Sequence, residues 1–220
     1  IGLGFNNQKK WITSEPLHEN ISKLSQSEQS HELLKKNKIQ IKNLIPMINL
    51  NNERLVELEP NITIYNGKKI SLGVDSFEDF KMWYEEDFIK LADLLYEKKL
   101  INFIYLICGP EKSHIAKKII DNSQKSYFMD CSNKDLNGVI LAIKNSDFFV
   151  GNNSGPLNLA AALGVKTFGL IATDPVSELK YSKIKPITPE NYIDNIWIRD
   201  RKGMKELKPD RVFKEIFQSL

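Results

Sequence analysis

The chain has 220 residues, 41% of them apolar, and 31 Lys and Arg against 28 Asp and Glu give it a formal charge of +3. That length and apolar content can bury one large domain, or one domain and part of another, which sets wholesale disorder aside. A charge this small, with its signs interspersed, gives no basis for nucleic acid as a partner and builds no basic face for an anionic membrane, yet leaves room for a small acidic ligand.

The sequence opens on Ile1-Gly2-Leu3-Gly4-Phe5, as if entered in the middle of a fold, so a fragment of a longer protein is expected. Residues 1–65 are rich in Asn, Lys, Gln and Ser. They hold one helical candidate, Glu19–Lys38, whose apolar face (Ile21, Leu24, His31, Leu33, Leu34) is incomplete. Pro46, Pro60 and the stretch from Asn49 to Asn52 punctuate this region, which reads as connecting structure with a thin core. A domain is expected over 66–220.

Beyond Asn61 the pattern changes. Ile62–Tyr65 and Lys69–Val74 read as strands around Asn66-Gly67, and Glu85–Lys98 as a helix with Phe88, Leu91, Leu94 and Leu95 on one face. A buried strand follows over Ile101–Cys108, then a helix over Pro110–Asn122, a short strand over Ser126–Met129 and a helix over Leu136–Asn145. Asp147–Val150 is the next strand, Pro156–Leu163 a helix and Lys166–Ile171 a strand. After Thr173-Asp174-Pro175 the chain reads as irregular, past Pro186 and Pro189, until a last helix over Pro209–Ser219. Parallel strands need helical crossovers that cover both sheet faces, and the nearly all-apolar strands here fit that requirement. The predicted fold is α/β, a Rossmann-like open parallel sheet.

Cys108 and Cys131 have no metal-ligand spacing and sit in or beside apolar stretches, so they read as reduced core residues of a cytoplasmic protein. His18, His31 and His114 have no mutual spacing that marks a metal site or a nucleophile pair. No apolar run approaches the roughly 20 residues that span a bilayer, and the first residues lack a signal-peptide pattern, which leaves peripheral membrane contact open.

Ligands of such sheets bind where strand carboxyl ends meet helix N-termini, because free N–H groups and a partial positive charge converge there. The strongest such turn is Gly151-Asn152-Asn153-Ser154-Gly155-Pro156. Its two glycines are expected to let the backbone turn sharply and a phosphate come close, Ser154 adds a hydroxyl, and Pro156 suits a first helical turn. The N–H groups of Leu157 and Asn158 would then cradle a diphosphate. The same residues also suit an ordinary tight turn before the small-residue helix from Leu159 to Leu163. Glu111, just past a strand, has the chemistry to accept from ribose hydroxyls, and equally suits the dipole of a first helical turn. Ser76 and Lys81 could contact phosphate oxygens, or belong to a solvated loop in which Trp83 anchors the next helix.

These residues resemble a known family. Val150–Leu170, VGNNSGPLNLAAALGVKTFGL, is similar to the segment V-G-N-D-[ST]-G-P-x-H-L-A-A-A-L-G-x-P-T of lipopolysaccharide heptosyltransferases, glycosyltransferase family 9. The stretch from Gly73 to Trp83 resembles that family's G-x-S…K-x-W element, Ile101–Glu111 its strand and G-x-E turn, and Ala172–Pro175 its T-D-P loop. Order and spacing agree from Asn61 to Pro175.

The resemblance implies the donor-binding, C-terminal half of a two-domain GT-B fold, with residues 1–65 as the tail of an acceptor domain that supplies the catalytic base. It implies an inverting transfer of heptose or a related sugar from a nucleotide-sugar donor, ADP-heptose by the family pattern, to lipopolysaccharide or another cell-envelope glycan. That places the protein at the inner face of a bacterial inner membrane, with no metal or other cofactor. Carried over by position, Ser154 and Gly155 hold the diphosphate, Lys81 balances its charge and Glu111 holds the ribose. Asn153 stands where the family has aspartate, and Asn158 where it has histidine. Each keeps hydrogen-bonding capacity but lacks, respectively, the negative charge and the titratable ring. They also admit a non-catalytic module that binds a nucleotide sugar or a partner.

Overall fold

The computed structural model describes residues 24–41, 43–50, 67–180, 182–194 and 196–220. The chain divides into two compact units between Pro46 and Met47.

In the first unit lies α1, Gln26–Lys36, within the span predicted as helical; residues 19–23 of that prediction fall outside the described residues. Its start is fixed by a capping box: Ser25 Oγ accepts from the Glu28 N–H, and the Glu28 carboxylate accepts from the Ser25 N–H at 3.1 Å.

The second unit is built on six parallel strands among the described residues: β1 Lys69–Gly73, β2 Phe103–Ile107, β3 Phe128–Asp130, β4 Phe148–Asn152, β5 Lys166–Leu170 and β6 Ile184–Ile187. Their order in the sheet is β3-β2-β1-β4-β5-β6. The helices are α2 Glu85–Glu97, α3 Ser113–Ser123, α4 Leu136–Lys144, α5 Gly155–Ala162, α6 Lys202–Glu206 and α7 Pro209–Phe217.

The strand side chains alternate between two cores, which is why the central stretches of these strands are mostly apolar. Ile70, Leu72, Ile104, Leu106, Phe148 and Val150 face a layer formed by α2, α3 and α7, including Phe88, Leu91, Ile115, Val212 and Ile216. Phe103, Tyr105, Ile107 and Phe149 face the opposite layer, with Ile140 and Ile143 of α4 and Leu157 and Ala160 of α5. Each Leu, Ile or Phe so buried contributes about 1.5–3 kcal/mol of transfer free energy, so the sheet interior dominates the stability of this unit. On α2 the predicted residues Phe88, Leu91 and Leu95 are buried at helical spacing, while Ala92 is buried with them and the predicted Leu94 is only half-buried.

The element boundaries follow the sequence reading closely, with three differences. The segment Ile62–Tyr65 lies outside the described residues, and β1 pairs in parallel with β2 and β4. The helix predicted from Pro110 begins as a 3₁₀ turn, Pro110–Lys112, before α3. The region after Pro175, expected to be irregular, contains β6, a 3₁₀ turn at Val176–Leu179 and the short α6. Pro186 inside a four-residue run hides β6 from a sequence reading, and β6 tolerates it because it is an edge strand.

The order of the sheet positions the site. From β1 the chain builds outward through β2 and β3, then returns to place β4 on the other side of β1. Crossovers therefore leave in opposite directions from the carboxyl ends of β1 and β4, and a crevice opens between the two following loops.

Candidate functional site

The loop after β1, residues 74–84, and the turn between β4 and α5, residues 152–155, meet at this crevice. Ser76 Oγ donates to the Asn153 carbonyl at 3.3 Å, and the Trp83 N–H donates to Asn152 Oδ1 at 2.9 Å. Trp83 is 1% exposed and its indole N–H donates to the Leu207 carbonyl at 2.7 Å, so the residue read as an anchor holds this loop against the C-terminal segment. Arg201 closes the same junction, donating to the carbonyls of Met82 and Trp83 at 2.8 and 3.1 Å.

Beside it, the turn after β2 is held by Asp75, whose Oδ2 accepts from the Gly109 N–H at 2.7 Å. Glu111 lies in that turn, exposed, and engages no described side chain. Its carboxylate is available to a ligand at this edge of the sheet.

The turn before α5 differs from its expected form in two respects. Neither Gly151 nor Gly155 has a positive φ, so neither is there for a sharp left-handed turn. Gly151 is required by packing: a Cβ would lie 2.8 Å from the Gly73 carbonyl oxygen and 2.8 Å from the Phe149 ring. At Gly155 a Cβ would meet nothing within 4 Å, so the space above the start of α5 is open. The second difference concerns Asn158. Its N–H points back to the Ser154 carbonyl at 3.4 Å and its side-chain amide donates to the same oxygen at 3.0 Å, which removes it from the expected cradle. The N–H groups of Gly155 and Leu157 have no acceptor among the described residues, as the first turn of a helix requires.

Two buried polar groups in this turn lack partners: Ser154 Oγ, and Nδ2 of Asn152, a residue that is 0% exposed. Native proteins rarely leave such groups unsatisfied, because each costs on the order of 1–3 kcal/mol. Both belong to the turn that leads into α5, where Gly155 borders open space.

A charged network closes the other side. Asp174, in the loop after β5 and 2% exposed, receives Asn153 Nδ2 on Oδ2 at 2.7 Å and Lys81 Nζ beside Oδ1 at 3.1 Å. Thr173 Oγ1 donates to Oδ2 at 3.4 Å. Asp174 thus ties together the loops after β1, β4 and β5, a role its place in the Thr173-Asp174-Pro175 motif did not disclose. The Tyr192 hydroxyl donates to the Asp174 carbonyl at 2.7 Å and accepts from the Val176 N–H at 2.9 Å, fixing the loop from behind. Lys81 also contacts Glu78 at 2.8 Å, and Glu78 contacts Arg199 at 2.6 Å. The hydrogen bond from Lys81, with further attraction from Arg199, holds the Glu78 carboxyl below the usual carboxylate range.

The sequence-predicted residues Lys81, Asn153, Ser154 and Gly155 are therefore brought together. Glu111 occupies the neighbouring turn, and Asn158 is one turn into α5, exposed. Cys108 and Cys131 are free and buried, Cys108 in the turn that carries Glu111, where its Sγ lies 3.7 Å from the Lys112 carbonyl oxygen, and burial pushes both thiols up to about 12. Among the described residues no three His, Cys, Asp or Glu side chains are grouped to hold a metal ion, and no helix is long and apolar enough to cross a membrane. An open cleft of about 760 Å³ along α7 has charged walls, but Asp210 there is paired with Lys90 and Arg211 with Glu190.

Comparisons with known proteins show the family and the fold. The model of glycosyltransferase family 9 (heptosyltransferase) matches residues 22–212. The structure is similar to that of E. coli ADP-heptose lps heptosyltransferase II, at a TM-score of 0.67 and 15% identity, covering 82% of this chain and 55% of that one. It is also similar to E. coli heptosyltransferase WaaC with ADP (TM-score 0.64, 18% identity, 88% and 56% covered). A third likeness is to the glycosyl transferase family 9 from Veillonella parvula (TM-score 0.66, 14% identity, 89% and 60% covered). The chain thus spans little more than half the length of each. No curated protein sequence matches it.

Proposed function

Since the chain belongs to glycosyltransferase family 9 (heptosyltransferase), we propose that it forms the nucleotide-sugar-binding half of an inverting transferase. It passes a heptose or related sugar from ADP-heptose to lipopolysaccharide or another cell-envelope glycan. The observation that carries this reading is the turn at Asn152–Gly155, which holds two buried polar groups without partners and leads into the unpaired N–H groups of α5, with open space beside Gly155. A helix N-terminus of this kind stabilises the negative charge of a diphosphate, both when the donor binds and as the nucleoside diphosphate departs.

Ser154, Gly155 and the first N–H groups of α5 take the diphosphate, Lys81 supplies positive charge, and Glu111 accepts from the ribose hydroxyls. Asn153 acts through Asp174, holding the loop that carries it. In the reaction the acceptor hydroxyl gives its proton to a base, its oxygen attacks the anomeric carbon from the face opposite the diphosphate, and the nucleoside diphosphate leaves with the bonding pair. The field of α5 and Lys81 does the work that a metal ion does in other transferases. A donor half without the base binds its nucleotide sugar and does not transfer it.

Calorimetric titration of the chain with ADP, GDP, UDP and CDP tests this reading. The expected result is preferential binding of ADP, weakened about tenfold or more by Ser154→Ala, as loss of a hydrogen bond to a charged ligand implies. Indifference to all four nucleotides would overturn it. Asn158, exposed and turned onto its own helix in place of the family's histidine, favours a second reading: a binding module descended from such an enzyme. Paired with an acceptor half that supplies the base, transfer by the wild-type chain supports the first reading, and transfer that appears only with Asn158→His supports the second.

A further inference from the structure

Lys81 does not face the crevice as a free cation. Its ammonium lies between Glu78 at 2.8 Å and Asp174 at 3.1 Å, and its side chain is 15% exposed. The two carboxylates are differently placed. Asp174 is buried and also bound by Asn153, so it is a fixed part of the frame. Glu78 is a third exposed, precedes the 3₁₀ turn Asp79–Lys81, and spends one carboxylate oxygen on Lys81 and the other on Arg199.

Arg199 comes from a distant part of the chain and is held in place by specific contacts. The Ile198 N–H donates to the Thr173 carbonyl at 2.8 Å, which fastens this segment beside Asp174. The guanidinium lies 5.1 Å from the centre of the Phe80 ring and 5.7 Å from that of Trp197, yet its side chain is 60% exposed. Stacking on two rings orients a guanidinium while leaving its edge N–H groups free for an anion.

We propose that Arg199 is a second cation for the donor's diphosphate, and that Glu78 is a resident counter-anion which the diphosphate displaces from between Lys81 and Arg199. The inference rests on the donor site described above. Glu78 brings one negative charge and two oxygens, whereas a diphosphate brings at least two charges and more oxygens in the forked geometry that arginine matches. In the empty site Glu78 offsets the repulsion between two neighbouring cations and the desolvation they would suffer alone. When the donor arrives, Glu78 can turn out to solvent, because it has no other role to abandon. The nearby Asp174 stays, keeping Lys81 pointed at the crevice. Binding is then an exchange of anions, and affinity reflects the difference between diphosphate and carboxylate at the same two cations.

This exchange predicts opposite signs for two substitutions that break the same ion pair. Removing the cation weakens the ligand; removing the competing anion tightens it. An ion pair that serves the fold alone predicts neither effect. The test is calorimetric titration of the chain with ADP and with inorganic pyrophosphate at low salt, with the melting temperature of each variant recorded. Arg199→Ala is expected to weaken both ligands about tenfold or more and Arg199→Lys by less, since lysine keeps the charge without the fork. Glu78→Gln is expected to tighten both several-fold, an effect that shrinks as salt rises. Wild-type binding of ADP with Arg199→Ala within twofold of it, or with Glu78→Gln equal or weaker, overturns this inference and leaves the donor site standing. Failure of the wild-type chain to bind either ligand removes the donor reading and this inference together.

Discussion

Asn153→Asp installs the acid that the family pattern has at this position, yet the structure predicts that it weakens this fold. The Asn153 amide donates to Asp174 Oδ2 at 2.7 Å, and Asp174 is 2% exposed. An aspartate would put a second carboxylate oxygen where the amide nitrogen now stands. Two unit charges at that separation repel by about 6 kcal/mol at an effective dielectric of roughly 20. Holding one carboxyl protonated instead costs about 1.4 kcal/mol for each pH unit above the ordinary value near 4, or about 4 kcal/mol at pH 7. The proton is the smaller cost, so the pair should titrate as a dyad. The proton leaves a single negative charge beside Lys81, 3.1 Å from the other oxygen of Asp174, as in the wild type, so the expected loss is the cost of that proton, up to about 4 kcal/mol at pH 7. The folded dyad binds a proton that the unfolded chain lacks between about pH 4 and the dyad's raised value, so stability falls as pH rises through that window and recovers toward pH 5. Asn153→Ala loses one hydrogen bond to a charged group, about 1.5–3 kcal/mol, without that slope. Urea unfolding followed by tryptophan fluorescence from pH 5 to 8 measures both. An Asn153→Asp variant as stable as wild type at pH 8, or one whose loss does not vary with pH, would show that Asn153 does not hold Asp174 in the way described.

The two glycines of the turn should separate fold from binding. Gly151→Ala is expected to cost about 1–3 kcal/mol or more, because the Gly73 backbone cannot yield the 2.8 Å contact. Gly155→Ala should change stability by no more than about 0.5 kcal/mol, since its methyl meets nothing, while weakening ADP about tenfold by filling the approach to α5; thermal melts and titration together check the pair. Burial pushes Cys108 and Cys131 up to about 12, so at pH 8 only about one thiol in ten thousand is ionised and labelling by a disulfide reagent should follow unfolding. Complete labelling of the folded protein within seconds would contradict that burial.

The sheet was legible because parallel strands are buried on both faces. Phe103–Ile107 and Phe148–Asn152 need no partner to be recognised as strands, since nothing in them faces water. β6 escaped because its proline is diagnostic of an interior break and tolerated only at an edge, and which strand is an edge is a property of the whole sheet. The same distinction runs through the site. Ser154 and Gly155 are visible in sequence because the turn that uses them is continuous. The reason for Gly151 is not, because it depends on the Gly73 backbone of the neighbouring strand. Asp174 is further removed, since its partners Lys81 and Asn153 come from two other loops and meet only through the crossing between β1 and β4.

Motif residues and charge therefore follow different rules in this crevice. In the function proposed above, the turn before α5 sets where an anion sits, and its Gly-Ser-Pro residues are continuous in sequence. How strongly the anion is held depends on which carboxylates already occupy the cations, and that is decided by Glu78, Asp174 and Arg199 arriving from three separate segments. A relative could keep the motif Gly151–Pro156 unchanged and still bind its donor very differently by altering a residue as distant in sequence as Arg199. The asparagine at 153 belongs to this second rule: with Asp174 already present and buried, an amide completes the network without adding a further negative charge beside the position proposed for the diphosphate.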